Sequence, residues 1–169
     1  SGAWNGRGTT IAVFNPKGGV GKTTVATNLA SALQTRKGRS VLPGGTEEHP
    51  LELYVGNAGT AARWLAALVC LGKGVYCLHG VPRMHERPQA ALFQALRELG
   101  YRIDSPNDKL PALIFGTGPR ATKCRVSIEE SSQFASALLL CAETARWQVQ
   151  VTGQSAEESP YVSMTAKLI

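Results

Sequence analysis

"LYVGNAGTAARWLAALVCLG", Leu53 to Gly72, decides the fold. It begins inside "LELYVG" (51–56), a short strand. "NAGT" is a tight turn. The run "TAARWLAALVCLG" that follows is an almost wholly apolar helix, which must be buried on most of its sides. A strand delivered by a tight turn into a buried helix is the opening of an α/β unit.

Working outward, the alternation continues in both directions. C-terminally, "GVYCLHG" is a strand, and "RPQAALFQALRELG" is an amphipathic helix. That helix has Leu92, Leu96 and Leu99 on one face, Pro88 in its first turn and Gly100 at its end. "YRIDS", "ALIFGTG" and "KCRVSIE" are short strands, "SSQFASALLLCAETA" is a helix with a serine entry, and "WQVQVTG" is a strand. "PYVSMTAKLI" begins a further helix. N-terminally, "PGGTEEHP" (43–50) is turn chemistry and forms a linker. Before it lie a strand "TTIAVFN" (9–15), a helix ending at Gly38 and a short strand "RSVL" (39–42). The domain reading is a tail over 1–8, a strand-helix-strand segment over 9–42, the linker 43–50 and a partial lobe over 51–169. The segment 9–42 and the lobe together form one compact α/β domain.

Composition excludes several classes. With 169 residues, 43% hydrophobic and 18% charged, the chain has the balance of a globular core. The longest apolar candidate, Ala58 to Leu71, is broken by Arg63, so no membrane span is expected, and the N-terminus shows no apolar leader. The net charge is +6, concentrated early: residues 1–50 hold six Lys/Arg and two Glu. No basic run is interleaved with aromatics, so nucleic acid is not expected and a small anion is the better partner. Cys70, Cys77, Cys124 and Cys141 contain no C-x-x-C and sit in apolar stretches, which suits buried, reduced thiols and a cytoplasmic location. His49, His79 and His85 have no ligand spacing.

Two motif sets point to anions. "KGGVGKTT" (17–24) follows an apolar strand and opens a helix. Gly18, Gly19 and Gly21 allow backbone N–H groups to form an anion nest, and the helix adds the positive end of its dipole. Lys22 would reach outer phosphates and Thr23 would ligate magnesium. This stretch resembles the deviant Walker A of the ParA/MinD ATPases, with Lys17 as that family's additional lysine and Thr24 completing the motif. The resemblance covers about 9–42 and implies ATP and Mg2+ as ligands. The acidic partners of that family are missing: the first acidic residue is Glu47, and the only aspartates are Asp104 and Asp108. Phosphate binding is therefore expected without hydrolysis.

The second set is "LYVGNAGTAAR" (53–63), "GVPRMHERPQAALFQALRELG" (80–100), "ESSQFASALLLCA" (130–142) and "SPYVSMT" (159–165). "NAGT" brings N–H groups and a hydroxyl to a helix start. Arg83 and Arg87 bracket a loop with planar forks suited to carboxylate or phosphate. Ser131, Ser132 and Gln133 open another helix. In order and spacing these four stretches resemble EPSP synthase (3-phosphoshikimate 1-carboxyvinyltransferase) over about 51–169. The resemblance implies β-α-β-α-β-β units with mixed four-stranded sheets, one complete over about 51–117 and most of another over about 123–169. It also implies that Gly59 and Arg83 face phosphoenolpyruvate, with Asn57 and Thr60 among the substrate-binding residues. Ser131, Ser132, Gln133 and Tyr161 would face shikimate 3-phosphate, and Arg63 would orient the loop. The chain departs from the family at Glu158 and Ser163, and the opening Lys-Ser motif is replaced by the P-loop stretch, where Lys22-Thr23 stand in the corresponding order. Two resemblances in one chain imply a chimera. The functional expectation is a lobe that binds phosphate or carboxylate without turnover, the alternatives being a ParA-like nucleotide module and a fold without ligand. Faces left uncovered would favour self-association.

Overall fold

A computed structural model describes residues 43–153. The P-loop segment, Tyr161, Glu158 and Ser163 lie outside the described residues.

The strands are β1 (Leu51–Tyr54), β2 (Lys73–His79), β3 (Arg102–Asp104), β4 (Ala112–Thr117), β5 (Thr122–Ser127) and β6 (Trp147–Thr152). The helices are α1 (Gly59–Val69), α2 (Pro82–Glu86), α3 (Ala90–Glu98) and α4 (Gln133–Ala145). β1 to β4 form one mixed sheet in the order β1-β2-β4-β3. β1 runs parallel to β2, with Leu51 opposite Tyr76 and Tyr54 opposite His79. β4 is antiparallel to both β2 and β3. This is the β-α-β-α-β-β unit expected over about 51–117. β5, α4 and β6 begin the next unit, β5 and β6 pairing in parallel from Thr122 opposite Trp147.

The sheet has an inner and an outer face. Tyr76 and Leu78 on β2 and Ile114 on β4 are fully buried against the helices. α1 and α3 lie on that inner face; on their other side α1 packs against α4, and α3 against β5. The apolar reading of α1 holds: Ala62, Ala66, Ala67, Leu68 and Val69 are all buried. So does the amphipathic reading of α3, whose Leu92, Leu96 and Leu99 are buried with Phe93. Burying each such side chain contributes about 1.5–3 kcal/mol, so these two helices carry much of the core.

Four details differ from the expectation. Gln89, with φ −135° and ψ −1°, is not helical, so α3 begins at Ala90 and Pro88 precedes it. The stretch between Gly80 and Arg87 holds a separate short helix, α2, with Pro82 in its first turn. Residues 43–45, read as linker, run along β2, where Gly45 N donates to Val75 O at 2.9 Å and Val75 N donates to Gly45 O at 2.9 Å. Cys70, Cys124 and Cys141 are buried free thiols, but Cys77 is only half-buried. It alternates with Tyr76 and Leu78 and therefore faces outward. Among the described residues no helix is long and apolar enough to cross a membrane.

Candidate anion site at two helix N-termini

The start of α1 is built from the end of β1. Val55 N donates to His79 O at 2.9 Å, and Ala58 N donates to Val55 O at 3.0 Å across a turn in which Gly56 has φ +57°. Ala58, the residue before the helix, is extended and supplies no side-chain cap. The first N–H groups of α1 thus lack an intrahelical acceptor and carry the positive end of the helix dipole.

α4 enters from the other unit. Ser132 precedes its first residue, again with no side-chain cap. Ser131 Oγ accepts from Gln133 N at 3.3 Å. The two helix starts are then tied together by one side chain. Gln133 Nε2 donates to Thr60 Oγ1 at 3.1 Å, and Gln133 Oε1 accepts from Arg63 at 2.5 Å. Thr60 and Arg63 lie on α1, one turn apart on the same side. A single amide therefore brings the N-terminus of α4 to the N-terminus of α1.

Arg63 is 5% exposed, and its guanidinium carbon stands 5.0 Å from the centre of the Phe134 ring. Burial, and next the charge of Arg87, pull its pKa below the ordinary arginine value, while Glu130 opposes them. It remains charged, as arginine does in proteins. Arg63 is thus no solvated surface charge: it joins two helices.

Arg87 completes the cluster. Its guanidinium lies directly on Gly59, so that a Cβ there would stand 2.7 Å from Arg87 Cζ. Only glycine admits this approach without displacing the cation. Two guanidinium groups and two helix N-termini thus gather at one end of the fold. The acid whose field reaches Arg63 is Glu130, which is exposed. The arrangement favours an anion through charge-assisted hydrogen bonds.

Of the residues singled out in the sequence, the structure brings Gly59, Thr60, Arg63 and Gln133 together, with Ser131 and Ser132 at the start of α4. Asn57 lies exposed in the turn before α1. Arg83 is exposed on α2 and makes no hydrogen bond or ion pair among the described residues. Arg87 was read as one of two forks but given no ligand; the signal for it was the close-approach glycine at 59. A groove of about 640 Å³ lies elsewhere, on the outer sheet face, lined by Cys77, Asp104, Pro111 and Leu113 among others. Asp104 there is already engaged by Arg102 at 2.6 Å, and the lining offers no cation for an anionic ligand.

Fold and cluster together define a lobe of β-α-β-α-β-β units with helix N-termini gathered at one end. The chain belongs to the EPSP synthase (3-phosphoshikimate 1-carboxyvinyltransferase) family, whose model matches residues 23–169. It is 43% identical over 124 residues to the 3-phosphoshikimate 1-carboxyvinyltransferase of Vibrio cholerae serotype O1 (strain M66-2), covering 71% of this chain and 29% of that protein. It is 43% identical over 131 residues to the enzyme of that name from Sulfurovum sp. (strain NBC37-1), covering 75% and 30%. The solved EPSP synthase of Acinetobacter baumannii superposes with a TM-score of 0.56 at 24% identity, over 68% of this chain and 26% of that one. The chain thus spans under a third of the length of these relatives. The family match begins at Thr23, within the segment read as a P-loop unit, so the family's extent is longer than the 51–169 expected from the motifs.

Proposed function

We propose that these residues form part of the anion-binding lobe of an enolpyruvyl transferase. The observation that carries the reading is the Gln133 bridge, which joins Thr60 and Arg63 and sets two helix N-termini beside Arg87. In this reading Asn57, Gly59, Thr60 and Arg83 face the carboxylate or phosphate of phosphoenolpyruvate. Ser131, Ser132, Gln133 and Tyr161 hold the phosphate and hydroxyls of shikimate 3-phosphate. The 169 residues by themselves bind without turnover, because addition and elimination at an enol ether carbon need a proton donor and a base in the cleft. The cluster described above supplies arginines, hydroxyls and an amide. The expected location is the cytoplasm.

The test is thermal stabilisation. Shikimate 3-phosphate and phosphoenolpyruvate together are expected to raise Tm in the wild-type chain and to lose that effect in Arg87→Gln and Gln133→Ala. Equal stabilisation of all three would overturn the assignment. Release of phosphate from shikimate 3-phosphate and phosphoenolpyruvate by the chain alone would overturn the absence of turnover.

A second reading rests on "KGGVGKTT", whose residues 17–22 precede the family match. Here Lys17, Gly18, Gly19, Gly21 and Lys22 cradle the phosphates of ATP, with Thr23 and Thr24 at the helix start and Mg2+ on Thr23. This is the chimera reading. ATP with magnesium is then expected to raise Tm, and Lys22→Ala to abolish the rise; an unchanged Tm in the wild-type chain would exclude it.

A further inference from the structure

Gly80 N donates to His85 Nε2 at 3.1 Å, which closes a loop of six residues. A backbone N–H can only donate, so Nε2 must carry a lone pair and the imidazole is neutral, with its proton on Nδ1. Around this bond the packing is tight. Val81 N donates to Gly56 O at 3.0 Å, and a Cβ on Gly80 would meet Gly56 O and stand 3.1 Å from Met84 Cβ. Met84 is fully buried, and its sulfur accepts weakly from Arg87 at 4.0 Å. The histidine therefore closes the 80–85 loop on itself, and Val81 N fastens that loop to the turn that precedes α1. At the other end of α2 stands Arg87, against Gly59.

We propose that His85 is a positioning residue: while neutral, it braces the 80–87 loop and so holds Arg87 over the N-terminus of α1, and its protonation releases that arginine. The proposal rests on the anion reading given above for what Arg87 does, but not for the brace itself. α2 has five residues, too few to be stable through its own backbone bonds, so its placement depends on contacts like this one. The charged and titratable groups nearest His85 along the chain are Arg83 and Glu86 on α2 and Arg87 just beyond it. On the sheet, His79 at the end of β2, next to Gly80, and Glu52 on β1 stand 3.6 Å from each other, with Tyr54 against His79. The 55–58 turn, which the loop touches, carries no titratable group. A protonated His85 loses the lone pair that accepts from Gly80 N and adds a positive charge to a segment that already carries Arg83 and Arg87, which loosens the loop.

Sulfate is the appropriate probe, because its charge is constant over the range in which histidine titrates. Amide NMR on the wild-type chain, His85→Gln and His85→Leu gives two readouts: protection of the Gly80 amide from exchange, and sulfate affinity from shifts at Gly59 and Thr60. Glutamine offers an acceptor oxygen that does not titrate, whereas leucine offers none. Between pH 8 and pH 5.5 the wild-type chain is expected to lose about tenfold in Gly80 protection and, in parallel, about tenfold in sulfate affinity. His85→Gln is expected to retain both at either pH, and His85→Leu to be weak at either pH. Sulfate affinity that rises on acidification in the wild-type chain would overturn the brace and make His85 a direct cationic contact. A His85→Leu chain that binds as the wild type does would also overturn it. If sulfate moves no signal in any chain, the anion reading fails separately. The brace is then decided by Gly80 protection together with the Arg87 side-chain N–H signal, both of which must still change with His85 charge.

Discussion

Gln133→Ala tests the cluster most sharply, because it removes one amide that serves two partners. Gln133 Oε1 accepts from a guanidinium that is 5% exposed, and Gln133 Nε2 donates to Thr60. A hydrogen bond to a charged group contributes about 1.5–3 kcal/mol, and a neutral one about 0.5–1.5 kcal/mol. The larger effect is asymmetric. After truncation, Arg63 stays buried with the Phe134 ring face and the distant field of Glu130 as compensation, so its charge is left short of an acceptor. The expected loss is about 2–4 kcal/mol, a large share of the about 5–15 kcal/mol that holds a domain folded. In an Arg63→Met background the stem is kept and the charge is gone, so the same truncation should cost under about 1 kcal/mol. Urea denaturation of the four chains gives a double-mutant cycle, with an expected coupling of about 1.5–3 kcal/mol. A coupling below about 0.5 kcal/mol would show that Arg63 and Gln133 do not depend on each other and would refute the helix-joining role.

Other predictions follow from burial and close approach. Gly59→Ala should change stability by no more than about 1 kcal/mol, since alanine suits a helix start, yet weaken sulfate binding severalfold by displacing Arg87; unchanged affinity in an NMR titration would contradict that contact. Phe93→Ala, at a fully buried position, should cost about 3–5 kcal/mol in urea unfolding; a loss below about 1 kcal/mol would mean that α3 does not carry the core. Burial raises the thiol pKa of Cys124 to about 11 and of Cys141 to about 12, above the ordinary 9.0. Their contribution is complete below pH 9 and declines as pH rises towards the raised values, by about 1.4 kcal/mol per thiol per pH unit. Urea midpoints should therefore fall between pH 9 and pH 10.5, and less steeply in Cys141→Ala; a flat profile would contradict the burial.

The strand and helix order over 51–117 was legible because its periodicities are strong. The run from Thr60 to Leu71 admits no exposed face, and Leu92, Leu96 and Leu99 recur at helical spacing. α2 was hidden, since five residues carry no period; Pro82 after an extended Val81 was the available sign. Cys77 was misplaced because "VYCLH" is apolar on both faces of β2, which masks the alternation. For the site, the sequence supplied residue types suited to an anion but not their partners. Arg63 and Gln133 lie 70 residues apart, and only the packing of α4 on α1 makes them neighbours. Arg87 was legible as a cation but not as the one that covers Gly59.

The central claim is that an anion binds where α1 and α4 begin. Titration of the isotopically labelled chain with shikimate 3-phosphate and phosphoenolpyruvate together, followed residue by residue, tests it directly. The account predicts saturable shifts at Gly59, Thr60, Ser132, Gln133 and the Arg87 side chain. Shifts confined to residues 17–24, or none at any of these positions, would contradict it.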